Sequence, residues 1–407
     1  MKYYKEKCNI RAKFSRLVGS RYIIYTIRKR KQIDKTVKKI GILAFSIPFI
    51  FLLSVIVSSL FGSARSLASY KIYIENNIEH KNYNRDEIIN LLYHKIKNYI
   101  PEFQMEEFSL IFASDSIYDF KNNKNWITIS QKLERYYKKP KSIEDKKIIT
   151  IAEELKKQNK IKRFFNVTAL IKGDSISPNH SGILGCIVGS TMTIIICLLF
   201  SIPIGISTGL YIAEIMKHSW YRSILEISIN NLSATPSVIF GIMAFTIYLK
   251  NFGLTRSSSF VGGLTLTFII LPVIIASTKQ AAESVPKQIK YGAYALGASP
   301  LQTILHHTLP MSLPGIITGI LLGIARVLGE AAPLLMIGMS ALVTVIPQNF
   351  NSPATVIPLQ IYTWAFRPEE SYRDLTSLLI FITILLLATL NITAQIIQNK
   401  MYKNNDS

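Results

Sequence analysis

Residues 281–310 read AAESVPKQIKYGAYALGASPLQTILHHTLP, a connection thirty residues long between two apolar blocks, Ser257 to Thr278 and Met311 to Ala325. A link of that length usually carries a function of its own. Its punctuation is helical. Ser284 and Pro286 predict the start of one short helix and Ser299-Pro300 the start of another, the two meeting near Gly297. On the first, Gly292, Ala293, Ala295, Gly297 and Ala298 form a small-residue surface flanked by Ile289, Leu296, Tyr291 and Tyr294. Such a surface can pack under its own bundle, but a short helix with a close-approach face also suits the docking of a separate soluble subunit, which is the reading adopted here.

The blocks around this loop set the fold class. Uncharged apolar stretches occupy Gly41 to Phe61, Ile183 to Ala213, Ile227 to Leu249, Ser257 to Thr278, Met311 to Ala325 and Leu375 to Asn399. A helix needs about 20 such residues to cross the hydrocarbon core, and the block from Met311 reaches that length only by continuing past Arg326 and Glu330. The expectation is an α-helical integral membrane protein with six transmembrane helices, one N-terminal and five in a core at 182–400.

The chain of 407 residues carries a formal charge of +22, and location decides what that means. Residues 1–40 hold 14 Lys/Arg against Glu6 and Asp34, directly ahead of the apolar stretch 41–61. By the positive-inside rule this basic arm marks the cytoplasmic side, and it suits contact with anionic membrane lipid. No nucleic-acid recognition motif accompanies it, so nucleic acid is not expected as a partner. The 21 uncharged residues of 41–61 exceed a signal-peptide core of about 7–15, which predicts a retained anchor. With the N-terminus inside, the six spans also leave the C-terminus cytoplasmic.

Residues 62–180, with 21 Lys/Arg and 15 Asp/Glu, read as a soluble extracytoplasmic domain of mixed α and β structure. Asn84 ahead of Ile88, Ile89, Leu92 and Ile96 predicts one capped amphipathic helix; Ser142 with Asp145, ahead of Ile148, Ile149 and Leu155, predicts another. Phe164 to Ile171 reads as a strand, and Asn166-Val167-Thr168 matches a glycosylation acceptor that chance readily produces. Cys8, Cys186 and Cys197 support neither a disulfide framework nor a metal site, and the adjacent His306 and His307 cannot both face one metal from a helix.

The loop resembles the signature of ABC importer permeases: Glu-Ala-Ala, three residues, Gly, nine residues, an apolar residue, one residue, Leu-Pro. Gly292 and Ala293 stand at the two alanine positions, Gly297 at the glycine and Leu309-Pro310 at the end; Tyr291 replaces the Glu and His307 the apolar residue. Ala325-Arg-Val-Leu-Gly-Glu-Ala-Ala-Pro-Leu-Leu335 is similar to a fifth-span segment of the PstA-type phosphate permease family, and Ala234-Thr-Pro-Ser-Val-Ile-Phe-Gly241 to one in its third span. The resemblance covers roughly residues 182–400. It implies a bacterial inner-membrane permease for inorganic phosphate, working with a second homologous permease subunit, a cytoplasmic ATPase dimer and an extracytoplasmic phosphate-binding protein. Loop 281–310 would then be the coupling helix, with Tyr291, Gly292, Ala293, Gly297, Leu309 and Pro310 meeting the ATPase. No Gly-Lys pair occurs, so this sequence lacks the P-loop pattern, and ATP and Mg belong to the partner ATPase rather than to a cofactor site or catalytic residue here.

Arg326 and Glu330, four apart in the predicted fifth span Leu313 to Gly338, are expected on one helix face. Charges at that depth are expensive, so they pair structurally or line a path. A guanidinium offers paired donors to an oxyanion, and Glu330 would then help release it. Three alternatives remain open from the sequence. The substrate could be another oxyanion, such as molybdate or sulfate, or a small solute such as a peptide. A secondary anion transporter would couple ions through Arg326 and Glu330, though no inverted repeat is evident. A membrane-anchored enzyme would place its catalysis in 62–180, which shows no nucleophile triad, metal cluster or phosphate loop.

Overall fold

The computed structural model describes residues 2–75, 85–100, 105, 108–112, 116, 119, 125–140, 143, 145–217, 219–340 and 342–405, with side chains described between residues 34 and 400. Residues 1–58 form one compact unit and 59–407 a second. The first is helical wherever described: α1 runs Lys2–Ser66 without a break, through Pro48, so basic arm and apolar stretch belong to one helix. Its side chains from residue 34 to 58 are nearly all exposed, including Phe45, Phe51 and Leu43. The stretch Asp34–Ser66 is long and apolar enough to cross a membrane.

Within the second unit, four further helical segments meet that criterion: Leu184–Ile215, Ser259–Glu283, Pro300–Val327 and Ser371–Lys400. A bent pair, Trp220–Ala234 with Ser237–Asn251, makes a sixth if taken as one span. The predicted third span, Ile227 to Leu249, is therefore not straight. Pro236 sits between α6 (Trp220–Ala234) and α7 (Ser237–Ala244), and the axes turn by 93° there. Proline has no N–H and pushes the residue before it toward extended backbone, and Thr235 is extended with ψ 132°.

The soluble segment has its own core. Strands β1 (Ala68–Tyr73), β2 (Trp126–Thr128) and β3 (Ile161–Phe165) form an antiparallel sheet in the order β2-β1-β3, with Tyr73 opposite Trp126 and Lys71 opposite both Thr128 and Lys162. Alternation along β1 sends Ile72 inward, where it meets α2 (Arg85–Lys97) through Ile88, Leu92 and Ile96, α3 (Gln131–Lys138) through Leu133, and α4 (Lys146–Lys157) through Ile148 and Leu155. Both predicted amphipathic helices are present. Asp145 caps α4 through its carboxylate and the Lys147 N–H; the Asn84 and Ser142 cap assignments lie outside the described residues. The strand predicted at Phe164 to Ile171 stops at Phe165 and a helical turn, Thr168–Ile171, follows. Asn166 starts that turn, donating to the Ser66 carbonyl and accepting from the Ala169 N–H, which gives this residue a structural reason.

The core bundle is built on α8 (Ser259–Glu283), which packs against α5 (Leu184–Leu210) and α10 (Leu309–Val327). Gly315, Gly319 and Gly323, spaced four apart on α10, take the side chains of Ala281, Ser277 and Ile270 of α8 directly against the α10 backbone. At the end carrying the soluble segment, buried Asp174 accepts from the Trp364 indole N–H at 2.8 Å and pairs with Arg367 at 2.8 Å. That knot fastens the entry to α5 onto α12 (Ile357–Ala365) and the turn that leads to α13 (Ser371–Asn405).

Candidate functional site

The loop 281–310 leaves α8 at Ser284, whose hydroxyl donates back to the Ala281 carbonyl. Ser284 therefore closes the preceding helix and does not open the next; Pro286 stands at the start of α9 (Lys287–Ala295). Gly297 ends α9 with φ of +85°, a conformation that suits glycine. Its N–H returns to the Tyr294 carbonyl and the Ala298 N–H to Ala293, a paired closure that satisfies two of the helix's last carbonyls. Ser299 and Gln302 form a reciprocal capping box that starts the next turn, Pro300–Thr303. A π-helical turn, Ile304–Thr308, then feeds α10.

This loop has two unlike faces. Inward, Val285, Ala293 and Ile304 are buried, and Ile304 packs with Leu210 and Ala282 in a small core shared with α5 and α8. Outward, Tyr291, Leu301 and Leu305 are exposed, and Leu296 is 91% exposed. A side chain built at Gly292 or Gly297 would meet nothing within 4 Å. Ala293 thus departs from the small-residue docking surface: it is an anchor on the bundle side. Tyr291, Gly292, Gly297 and Pro310 stay on the accessible side, with Leu309 partly covered.

An ion pair missed by the sequence reading holds α9 in place. Lys290 reaches Glu214 at 2.5 Å, both largely buried, and also donates to the Ala282 carbonyl at 3.1 Å. Glu214 lies in the π-helical turn Tyr211–Ile215 that extends α5. Its signal was available, since Glu214 is the single acid between Gly182 and Leu225. Beside it, buried Arg222 pairs with Glu226 at 2.9 Å and Glu283 at 3.0 Å, and Lys279 pairs with Glu226 at 2.8 Å. Two cations and two carboxylates cancel, tying α6 to the end of α8.

Arg326 and Glu330 do not share a helix face. The predicted span Leu313 to Gly338 breaks: α10 ends at Val327, the chain turns through Leu328–Ala331, and α11 (Ala332–Met336) starts beyond it. Pro333 lies in α11's first turn, where its missing N–H needs no partner, and Gly329 adds a weak helix former to the break. Glu330 donates its backbone N–H to Val327 in the turn. Arg326 is exposed, Glu330 half-exposed, and neither side chain forms a hydrogen bond or ion pair among the described residues. Pro333 is itself buried against Gly241, where an added Cβ would stand 2.7 Å from the Pro333 Cα and carbonyl oxygen. The segments 234–241 and 325–335 are thereby brought into direct contact.

Comparison with known proteins covers this same region. A family model described as a binding-protein-dependent transport system inner membrane component matches residues 201–403. The phosphate transport system permease protein PstA of Yersinia pestis is 30% identical over 244 residues, 58% of this chain and 81% of the relative. That of Pasteurella multocida is 32% identical over 215 residues, 53% of this chain and 75% of its own. Among solved structures, a chain of the inward-facing MetNI methionine ABC transporter aligns over 53% of this chain and 94% of its own, at 15% identity and a TM-score of 0.41, too remote to carry an argument.

Proposed function

This chain belongs to the family of binding-protein-dependent transport system inner membrane components, and on that premise we propose that it is the membrane-spanning permease subunit of an ATP-driven importer of inorganic phosphate. The observation that carries the coupling half of this reading is the two-faced loop around α9, pinned to α5 and α8 by Lys290 and apolar on its free side. A face of Tyr291, Leu296, Leu301 and Leu305 around two open glycine positions fits the groove of a soluble protein. That protein is a cytoplasmic ATPase dimer, which binds ATP and Mg; this chain hydrolyses nothing. A second homologous permease completes the pathway, an extracytoplasmic phosphate-binding protein delivers substrate, and the surrounding lipid contacts the apolar helices. Both termini are then cytoplasmic, with residues 62–180 on the far side.

Phosphate as the cargo draws support from the two PstA relatives and from Arg326. At the end of α10, a guanidinium without an acidic partner among the described residues has its donors free for two oxygens of an oxyanion. Glu330, on the turn and separate from the helix, repels the anion as it passes Arg326. The test is phosphate uptake into vesicles holding this chain with its partner subunits, with and without ATP, for the native chain and Arg326→Gln. Uptake that requires ATP and falls in the variant is expected. ATP-independent uptake would point to a secondary transporter, and ATP-driven uptake of only a different anion would keep the architecture and remove phosphate.

A further inference from the structure

A cleft of about 360 Å³ lies where the outer face of the β-sheet meets the start of α13 and the segment entering α5. Four residues with side-chain hydrogen-bond donors line it, and none of those donors has an acceptor among the described residues. The Ser66 hydroxyl is in a residue 3% exposed, and the Asn179 side-chain N–H is buried; both lack a hydrogen-bond partner. Polar atoms buried in this state are uncommon because each has given up water for nothing. The other two donors are Lys71 and Lys172. Lys71 lies over the Phe164 ring at 5.7 Å, and neither lysine meets a carboxylate among the described residues.

Acids also line the cleft, but two of the three are engaged with other cations. Glu134 pairs with Lys138 at 3.1 Å and Asp374 with Arg65 at 3.0 Å. The third, Asp119, accepts from the Thr128 N–H at 3.2 Å and hydroxyl at 2.5 Å. With those pairs cancelled, Lys71 and Lys172 stand against Asp119 among the described residues, a positive balance. Four donors and a positive balance in a recess of ligand size call for a small acceptor-rich anion.

We propose that this cleft is an oxyanion site of the soluble segment, with Lys71, Lys172, Ser66 and Asn179 as its donors and a phosphate group as its ligand, either free inorganic phosphate or the headgroup of an anionic lipid. The site is separate from Arg326 and does not depend on the transport reading, since anion binding here requires no ATPase and no second permease.

The test is equilibrium binding of labelled inorganic phosphate to the full chain in lipid nanodiscs, comparing phosphatidylcholine alone with phosphatidylcholine plus phosphatidylglycerol. The native chain binds phosphate in phosphatidylcholine. Lys71→Gln/Lys172→Gln weakens binding roughly tenfold or more, as loss of two charged donors requires, while Lys250→Gln, an exposed lysine outside the cleft, leaves it unchanged. If the headgroup is the natural occupant, phosphatidylglycerol competes with phosphate and is retained on detergent extraction by the native chain but not by the double variant. Ser66→Ala guards against misfolding as the explanation: it melts no lower than the native chain without phosphate, yet gains a smaller rise in melting temperature when phosphate is added. Equal binding by the native chain and the double variant in both discs would overturn the assignment.

Discussion

Replacing Lys290 by Met should loosen α9 without disturbing the bundle beneath it. The methionine keeps the aliphatic stem but removes the amine that meets Glu214 at 2.5 Å and the Ala282 carbonyl at 3.1 Å. Removing one member of a fully buried pair costs about 3–5 kcal/mol, because the other charge is stranded. Here the side chains keep 13% and 7% of their exposure, so water can reach Glu214 and the cost falls below that range, about 2–3 kcal/mol. A nine-residue helix has little stability of its own, so this loss falls on the local opening of α9. Amide exchange across 287–295 should therefore speed up by roughly 30- to 150-fold, with α8 and α10 unchanged. Hydrogen exchange read by mass spectrometry on the full chain measures this directly. Lys290→Met/Glu214→Leu, which strands no charge, should recover most of the protection. Unchanged exchange in Lys290→Met, or a double variant no better than the single, would refute the idea that the pair anchors α9.

Leu296→Asp should abolish co-purification of the partner ATPase while the melting temperature of the chain stays within a degree or two, because Leu296 touches solvent over almost all of its surface. Gly297→Val should cost about 1–2 kcal/mol through its φ of +85° alone, whereas Gly297→Asn should cost less; thermal unfolding separates the two. Gly241→Val should lower the melting temperature and the yield of folded chain, since its side chain would drive into the Pro333 backbone, with about 1–3 kcal/mol typical of overpacking.

The sequence carried the spans well because hydrophobicity alone decides them: the uncharged runs at 41–61 and 375–399 lie inside helices of spanning length, and those at 183–213 and 257–278 match such helices to within two residues at their start. It carried the helices of the soluble segment for a similar reason, the spacing of Ile88, Leu92 and Ile96 marking a buried stripe. Bends were harder. Pro236 turns the chain by 93°, while Pro48, Pro203 and Pro272 sit inside continuous helices, and proline alone does not tell the two outcomes apart. The same limit made Arg326 and Glu330 look like one helix face, when the turn at Leu328–Ala331 separates them. Ala293 and Gly292 looked alike as small residues, yet one is buried and the other open, because only the tertiary seat of α9 distinguishes its faces. Glu214 and Lys290 are 76 residues apart, and no local pattern announces a partner at that distance.

The glycine ladder between α8 and α10 has a mechanical consequence. These are the helices on either side of loop 281–310, and Gly315, Gly319 and Gly323 seat side chains of α8 against α10 through the middle of its length. Tongs joined only at the handle would splay when the handle is pushed; tongs riveted along the blades swing as one lever. With α8 some 25 residues long, the lever is about 37 Å from loop to far end, so a small tilt at the loop becomes a larger sweep there. The end that sweeps is the end where α10 stops, and the last charged side chain it carries is Arg326.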